Sequence, residues 1–133
     1  MATILVAEDD PGTRRVLKKI LTKAGHTVML VSDGVRARLA LEDNDDIDVL
    51  ITDAVMPHLD GRELVVALRR EAKWARLPII MISAFVEPRD VAEILSSGVT
   101  RFLAKPVQTK LLLQELSTVL GPCFRQWFVV AAA

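Results

Sequence analysis

Cysteine is nearly absent from this chain. Cys123 is the only one in 133 residues, so no internal disulfide can form and a reducing compartment is expected. Excess charge is lacking too. Lys and Arg number 17 and Asp and Glu number 17, and this balance argues against bulk electrostatic binding to nucleic acid or an anionic membrane. No uninterrupted apolar run approaches the roughly 20 residues that cross a bilayer. The opening MATILVAEDD places acids where a signal peptide needs a long apolar stretch. No glycine-rich phosphate loop follows the first apolar run, which weighs against a nucleotide or flavin site. Internal repeats, low-complexity tracts and interdomain linkers are also missing. A soluble, cytoplasmic protein is expected, with no direct nucleic-acid or membrane partner.

What the chain does have is apolar material, 51% of its residues. A domain of this length buries roughly two-thirds of its unfolded surface, so one core is well supplied. Short β-branched runs occur at Thr3–Ala7, Thr27–Val31, Asp48–Thr52, Ile79–Ser83 and Thr100–Ala104. Between them apolar residues recur at helical spacing, as Val16, Leu17, Ile20, Leu21 and Ala24 do in the first interval. Pro11 and Gly25 bracket that helix. Asp33-Gly34 opens the second, Asp60-Gly61 precedes the third, and Pro88 stands near the start of the fourth. Thr109 reads as the N-cap of the fifth, whose apolar face includes Leu112, Leu113, Leu116, Val119 and Leu120, and Gly121-Pro122 stops it. Five strands alternating with five helices predict a doubly wound α/β domain over residues 1–122. Its sheet is parallel and covered on both faces, because parallel strands need crossover connections.

In such sheets ligands bind beyond the carboxyl ends of the strands, where the strand order reverses. Acids gather at those ends here. The first run leads into Glu8-Asp9-Asp10, and the third ends at Asp53. If the two strands are neighbours, these carboxylates converge, and like charges that close raise each other's pKa or are neutralised by a cation. An all-oxygen set with open positions suits Mg²⁺ or Mn²⁺. The fourth run ends at Ser83, and the fifth is followed by Lys105 and Pro106. A nucleophilic carboxylate, a metal, a hydroxyl and an ammonium form a phosphoryl-transfer set. Asp53 attacks in line, while the metal and Lys105 offset charge on the equatorial oxygens.

The segments ILVAEDD at 4–10, DVLITDAVMPHLDG at 48–61, IIMISA at 79–84 and RFLAKP at 101–106 together resemble the response-regulator receiver domains of two-component signalling. The resemblance covers residues 3–120 or so; its joint order and spacing are specific where any one fragment would be weak. It implies a flavodoxin-like three-layer sandwich of strand order 2-1-3-4-5, the order of chemotaxis receivers. It also implies a signalling switch and not a turnover enzyme. Carried over position by position, Asp53 is the phosphoacceptor, Asp9 ligates the metal directly, Glu8 does so through water, and the backbone carbonyl of Val55 adds a further ligand. Ser83 bonds one phosphoryl oxygen and Lys105 pairs with another; the Lys105–Pro106 bond is expected to be cis. Phe102 falls at the switch aromatic, which turns inward when Ser83 moves toward the phosphoryl group. A histidine kinase or phosphotransfer protein is the implied donor. The face of the fourth helix, fifth strand and fifth helix, with Arg89, Glu93, Arg101 and Lys110 near it, is the implied surface for a downstream protein.

Some positions depart from the commonest receiver pattern. Glu8 stands for the more frequent Asp, Ser83 for the commoner Thr, and Phe102 lacks the phenol of a Tyr. Val55 and Phe85 are apolar at the two positions that in receivers help admit and orient the hydrolytic water. A comparatively long-lived phosphorylated form is therefore expected. Other residues have plainer readings. Asp10 reads as a helix cap, His26 and His58 as surface histidines, and Glu42, Asp43, Asp45, Asp46 and Asp48 as a solvated loop. Arg69, Arg70, Lys73 and Arg76 read as the polar side and exit of the third helix.

Residues 123–133 form an apolar tail, CFRQWFVVAAA, holding Phe124, Trp127 and Phe128, half of the six aromatics. With Cys123 their spacing suits a short amphipathic helix. Left exposed it would invite aggregation, so it is expected to pack on its own domain, to meet a second copy in a homodimer, or to come from outside the natural chain. Two other functions compete with the switch. A receiver-like binding module that is never phosphorylated is disfavoured by the complete set of acids, Ser83 and Lys105. A metal-dependent phosphatase of the dehalogenase kind generally carries a second acid two residues after its nucleophile, where this chain has Val55. With no output domain after residue 133, a stand-alone receiver and a piece of a larger regulator are both open.

Overall fold

The computed structural model of the protein describes residues 2–84 and 88–132. Its strands are β1 (Thr3–Ala7), β2 (Thr27–Val31), β3 (Val49–Asp53), β4 (Ile79–Ser83) and β5 (Arg101–Ala104). They form one parallel sheet in the order β2-β1-β3-β4-β5. The helices are α1 (Pro11–Lys23), α2 (Gly34–Asp43), α3 (Gly61–Arg69), α4 (Pro88–Ser96) and α5 (Thr109–Ala132). The predicted flavodoxin-like architecture and strand order are the ones found. The order reverses between β1 and β3, which places the crevice at the carboxyl ends of those two strands.

Side chains alternate along a strand, so the sheet feeds two cores. Leu5, Leu50, Ile79 and Met81 pack with Leu41, Leu64, Leu68 and Ile94 on the side of α2, α3 and α4. Ile4, Val6, Ile51 and Ile82 pack with Leu17, Leu21, Leu112 and Leu116 on the side of α1 and α5. Burying each such side chain contributes about 1.5–3 kcal/mol. β3 and β4 are buried along their whole length, whereas the edge strand β2 is at best half-buried. The central strands can therefore be apolar throughout.

Aspartates start three of the helices. Asp10 accepts from Thr13 N at 2.8 Å and Thr13 Oγ1 at 2.7 Å, which confirms the plain reading of that acid. Asp33 accepts from Arg36 N at 2.8 Å. Asp60 accepts from Glu63 N at 2.9 Å while Glu63 reaches back, a capping box. Several boundaries differ from expectation. β3 begins at Val49 and β5 at Arg101, because Asp48 and Thr100 direct their side chains to Thr3 N (2.8 Å) and Ile79 N (3.0 Å). Thr109 is the first residue of α5 and not its cap; the Gln108 carbonyl accepts from Leu112 N at 2.9 Å. The expected stop at Gly121 is a break with φ 80°, and helix resumes beyond it to Ala132. The packing expected of Phe124, Trp127 and Phe128 concerns side chains outside the described residues.

Two plain readings need correction. Arg69 is half-buried, not part of a solvated face. Its Nε donates to Gly98 O at 2.8 Å and its Nη1 to Trp74 O at 2.8 Å. It thus ties the end of α3 to the turn before β5 and to a single 3-10 turn at Ala72–Trp74 that the sequence pattern does not predict. Burial lowers its guanidinium pKa. His26 is also half-buried and not a free surface residue; its Nδ1 accepts from Ala2 N at 3.0 Å. His58 is exposed, as expected.

Candidate functional site

β1 is buried up to Glu8, whose side chain is 0% exposed, and β3 ends in Asp53, itself buried. Ala7 pairs with Thr52 across the two strands, so the acids that follow are neighbours. One carboxylate oxygen each from Glu8, Asp9 and Asp53 lie within 4.8 Å of one another. Among the described residues no other three acids, histidines or cysteines come together in this way. Asp9 is the exposed member of the three. β5 leads to Lys105, whose Nζ stands 2.7 Å from Glu8 Oε1 and 2.6 Å from Asp53 Oδ2. The cis Lys105–Pro106 bond is present. Ser83 closes β4, buried, and its carbonyl accepts from Lys105 N at 2.9 Å.

The electrostatics follow from this packing. Burial, and then contact with Asp53, push Glu8 up to about 7, against the opposing pull of Lys105. Burial also pushes Asp53 up. There it is outweighed by the neighbouring Glu8, by Lys105 and by the Val55 N–H, so Asp53 is held below its ordinary value. Burial disfavours the Lys105 ammonium, but Asp53 and Glu8 outweigh it and raise its pKa. Asp53 thus keeps its charge. The remaining Glu8 oxygen, Oε2, is buried without a hydrogen-bond partner among the described residues. An orphaned carboxylate oxygen inside an all-oxygen cluster fits a hard divalent cation or one of its waters.

Residues around the acids hold them in place. Val55 N donates to Asp53 Oδ1 at 3.2 Å, while Val55 as a residue is 66% exposed. The buried Thr52 donates its hydroxyl to Asp53 O at 2.9 Å. Gly61 approaches so closely that an added Cβ would lie 2.0 Å from Asp53 O. Arg14 donates to the carbonyls of both Glu8 and Asp9. Of these supports, Val55 and the Asp60-Gly61 pair stood out in the sequence, whereas the roles of Thr52 and Arg14 did not. Phe102 is half-buried against the core on the α2–α4 side. Phe85 lies outside the described residues. A hollow of about 650 Å³, lined by Thr13, Val16, Pro106 and Val107 among others, opens beside Lys105.

With this geometry in view, the sequence model of a family described as the response regulator receiver domain matches residues 4–117. A chemotaxis protein CheY homologue of Campylobacter jejuni is 39% identical over 119 residues, covering 89% of this chain and 92% of that one. The solved structure of the chemotaxis protein CheY4 of Vibrio cholerae superposes with a TM-score of 0.83 at 31% identity, over 90% of this chain and 98% of its own. The receiver domain of a Pseudomonas aeruginosa sensor histidine kinase, with a magnesium ion coordinated in its active-site cleft, gives 0.82 at 30% identity over 90% and 97%.

Proposed function

This chain belongs to the family of response regulator receiver domains, and from that membership we propose a CheY-like switch in which Asp53 accepts a phosphoryl group from a phosphohistidine. The observation that carries the assignment is Lys105, bonded at once to Glu8 and to Asp53 within a cluster of three acids. An Asp53 oxygen forms the new bond to phosphorus as the phosphorus–nitrogen bond of the donor breaks and its electron pair leaves on the imidazole. Lys105 follows the negative charge onto the phosphoryl oxygens, and the Ser83 hydroxyl bonds another of them. Mg²⁺, or Mn²⁺ in its place, would be held by Asp9, Asp53, the Val55 carbonyl and, through water, Glu8. When bound, the ion supplies positive charge to the phosphoryl oxygens.

Ser83 and Phe102 form the switch in this reading, Phe102 moving further into the core against which it already packs. The receiver unit is residues 1–122, with 123–133 as an appended tail available for self-packing or a homodimer. Val55 at the position of a second acid supports a switch over a phosphatase. The hollow beside Lys105 offers a donor protein, a histidine kinase or phosphotransfer protein, an apolar footing next to the acceptor. For a downstream protein, the α4–β5–α5 face presents Arg89, Glu93, Arg101 and Lys110, all exposed, with Leu95 and Leu111 among them. A cytoplasmic location fits these partners, and no helix among the described residues is long and apolar enough to cross a membrane. The test is phosphotransfer from an autophosphorylated histidine kinase. Label should pass to the wild type and not to Asp53→Asn. Equal labelling of the two would place the acceptor elsewhere.

A further inference from the structure

We propose that Arg14 is a positioning residue for the divalent cation, a role that rests on the metal reading above. Its Nη1 donates to Glu8 O at 2.8 Å and to Asp9 O at 3.1 Å. Those carbonyls belong to the two residues of the β1–α1 turn that supply acids to the cluster. One nitrogen bonded to two consecutive carbonyls fixes two consecutive peptide planes, and with them the directions in which both side chains leave the backbone.

This bond adds to two other anchors of the turn. Glu8 N is already held by Val31 O at 3.1 Å, so the strand side of Glu8 is fixed by the sheet. The helix side is fixed by the Asp10 cap on Thr13. Between these anchors Arg14, half-buried on the first turn of α1, donates to the Glu8 and Asp9 carbonyls and adds a side-chain restraint on the two peptide planes that lead into the acids. Asp9 depends on it most, because its carboxylate is exposed and not fixed by packing. Groups that hydrogen-bond to metal ligands and orient them commonly govern metal affinity as the ligands do. The opposing effect is the positive charge of Arg14, which by itself would repel a cation. The two effects have opposite signs, so the sign of the change on substitution separates them.

The experiment is calorimetric titration with Mg²⁺ alone of the wild type, Arg14→Ala and Arg14→Lys. Melting temperatures in chelator are recorded for the same proteins. Arg14→Ala should bind Mg²⁺ about tenfold more weakly, and Arg14→Lys, which keeps the charge and a donor on a shorter side chain, should recover part of the loss. A merely structural role would lower the metal-free melting temperature of Arg14→Ala and leave its Mg²⁺ affinity unchanged, which overturns the proposal. Tighter binding by Arg14→Ala also overturns it, because charge and not position would then dominate. If Arg14→Ala does not fold, Arg14→Gln takes its place under the same criteria. A wild type that does not bind Mg²⁺ would sink the metal reading and this inference together, whereas a binding wild type matched by its Arg14 variants sinks the inference alone.

Discussion

Val55 serves the crevice with its backbone and leaves an apolar side chain in solvent two residues from Asp53. Valine can neither donate to nor accept from a water that attacks the phosphoryl group. The double variant Val55→Asn, Phe85→Gln should therefore lose its phosphoryl group several-fold faster than the wild type in a time course of the labelled protein. Equal decay would remove any gating role from these positions. The acids, Ser83 and Lys105 were legible in the sequence because each directly follows or ends a short apolar run, and the run tells where the strand ends. Arg69, His26 and Arg14 were not. A polar residue at helical spacing looks like a solvated face until a carbonyl from elsewhere is brought to it, and for Arg69 that carbonyl is Gly98, 29 residues away.

The connection from β3 to α3 is held by close backbone approaches at two glycines. Gly61 N donates to Ala54 O at 3.0 Å and Gly34 N to Leu59 O at 3.0 Å. A Cβ at Gly61 would lie 2.0 Å from Asp53 O, and one at Gly34 2.2 Å from Leu59 O. Since the obstacle in both cases is backbone, Gly61→Ala should destabilise the domain by about 1–3 kcal/mol or more in urea unfolding. It should also slow phosphorylation by displacing the Asp53 carbonyl, whereas unchanged stability would mean that the approach is relieved by a harmless shift. Strand and helix order were legible from period and punctuation. The 3-10 turn at Ala72–Trp74 was not, because the burial of Trp74 and its contact with Arg38, 5.7 Å from the ring centroid, are tertiary; the adjacent Lys73 lies 5.3 Å from the same centroid.

On the scale of the molecule, a neutral, two-cored domain places its charge where it matters, with three acids and one lysine at the reversal of strand order and no comparable cluster among the described residues. At the amino-terminal edge of the sheet, His26 ties Ala2 down through its neutral Nδ1. Burial lowers its pKa below the ordinary 6.5, against the attraction of Asp48. A depressed folded pKa means that the unfolded chain binds the proton first. The contribution of His26 to stability is therefore complete above pH 6.5 and is lost as pH falls through the depressed value. Urea midpoints of the wild type should decline below pH 6.5 more steeply than those of His26→Gln; parallel curves would show that the imidazole is not held neutral by the fold. Phosphoryl acceptance by Asp53 is decided by intact mass after treatment with acetyl phosphate. The wild type should gain one phosphoryl group with Mg²⁺ present, and Asp53→Asn, or the wild type in chelator, should gain none. An adduct on the Asp53 variant, or no adduct on the wild type with Mg²⁺, would contradict it.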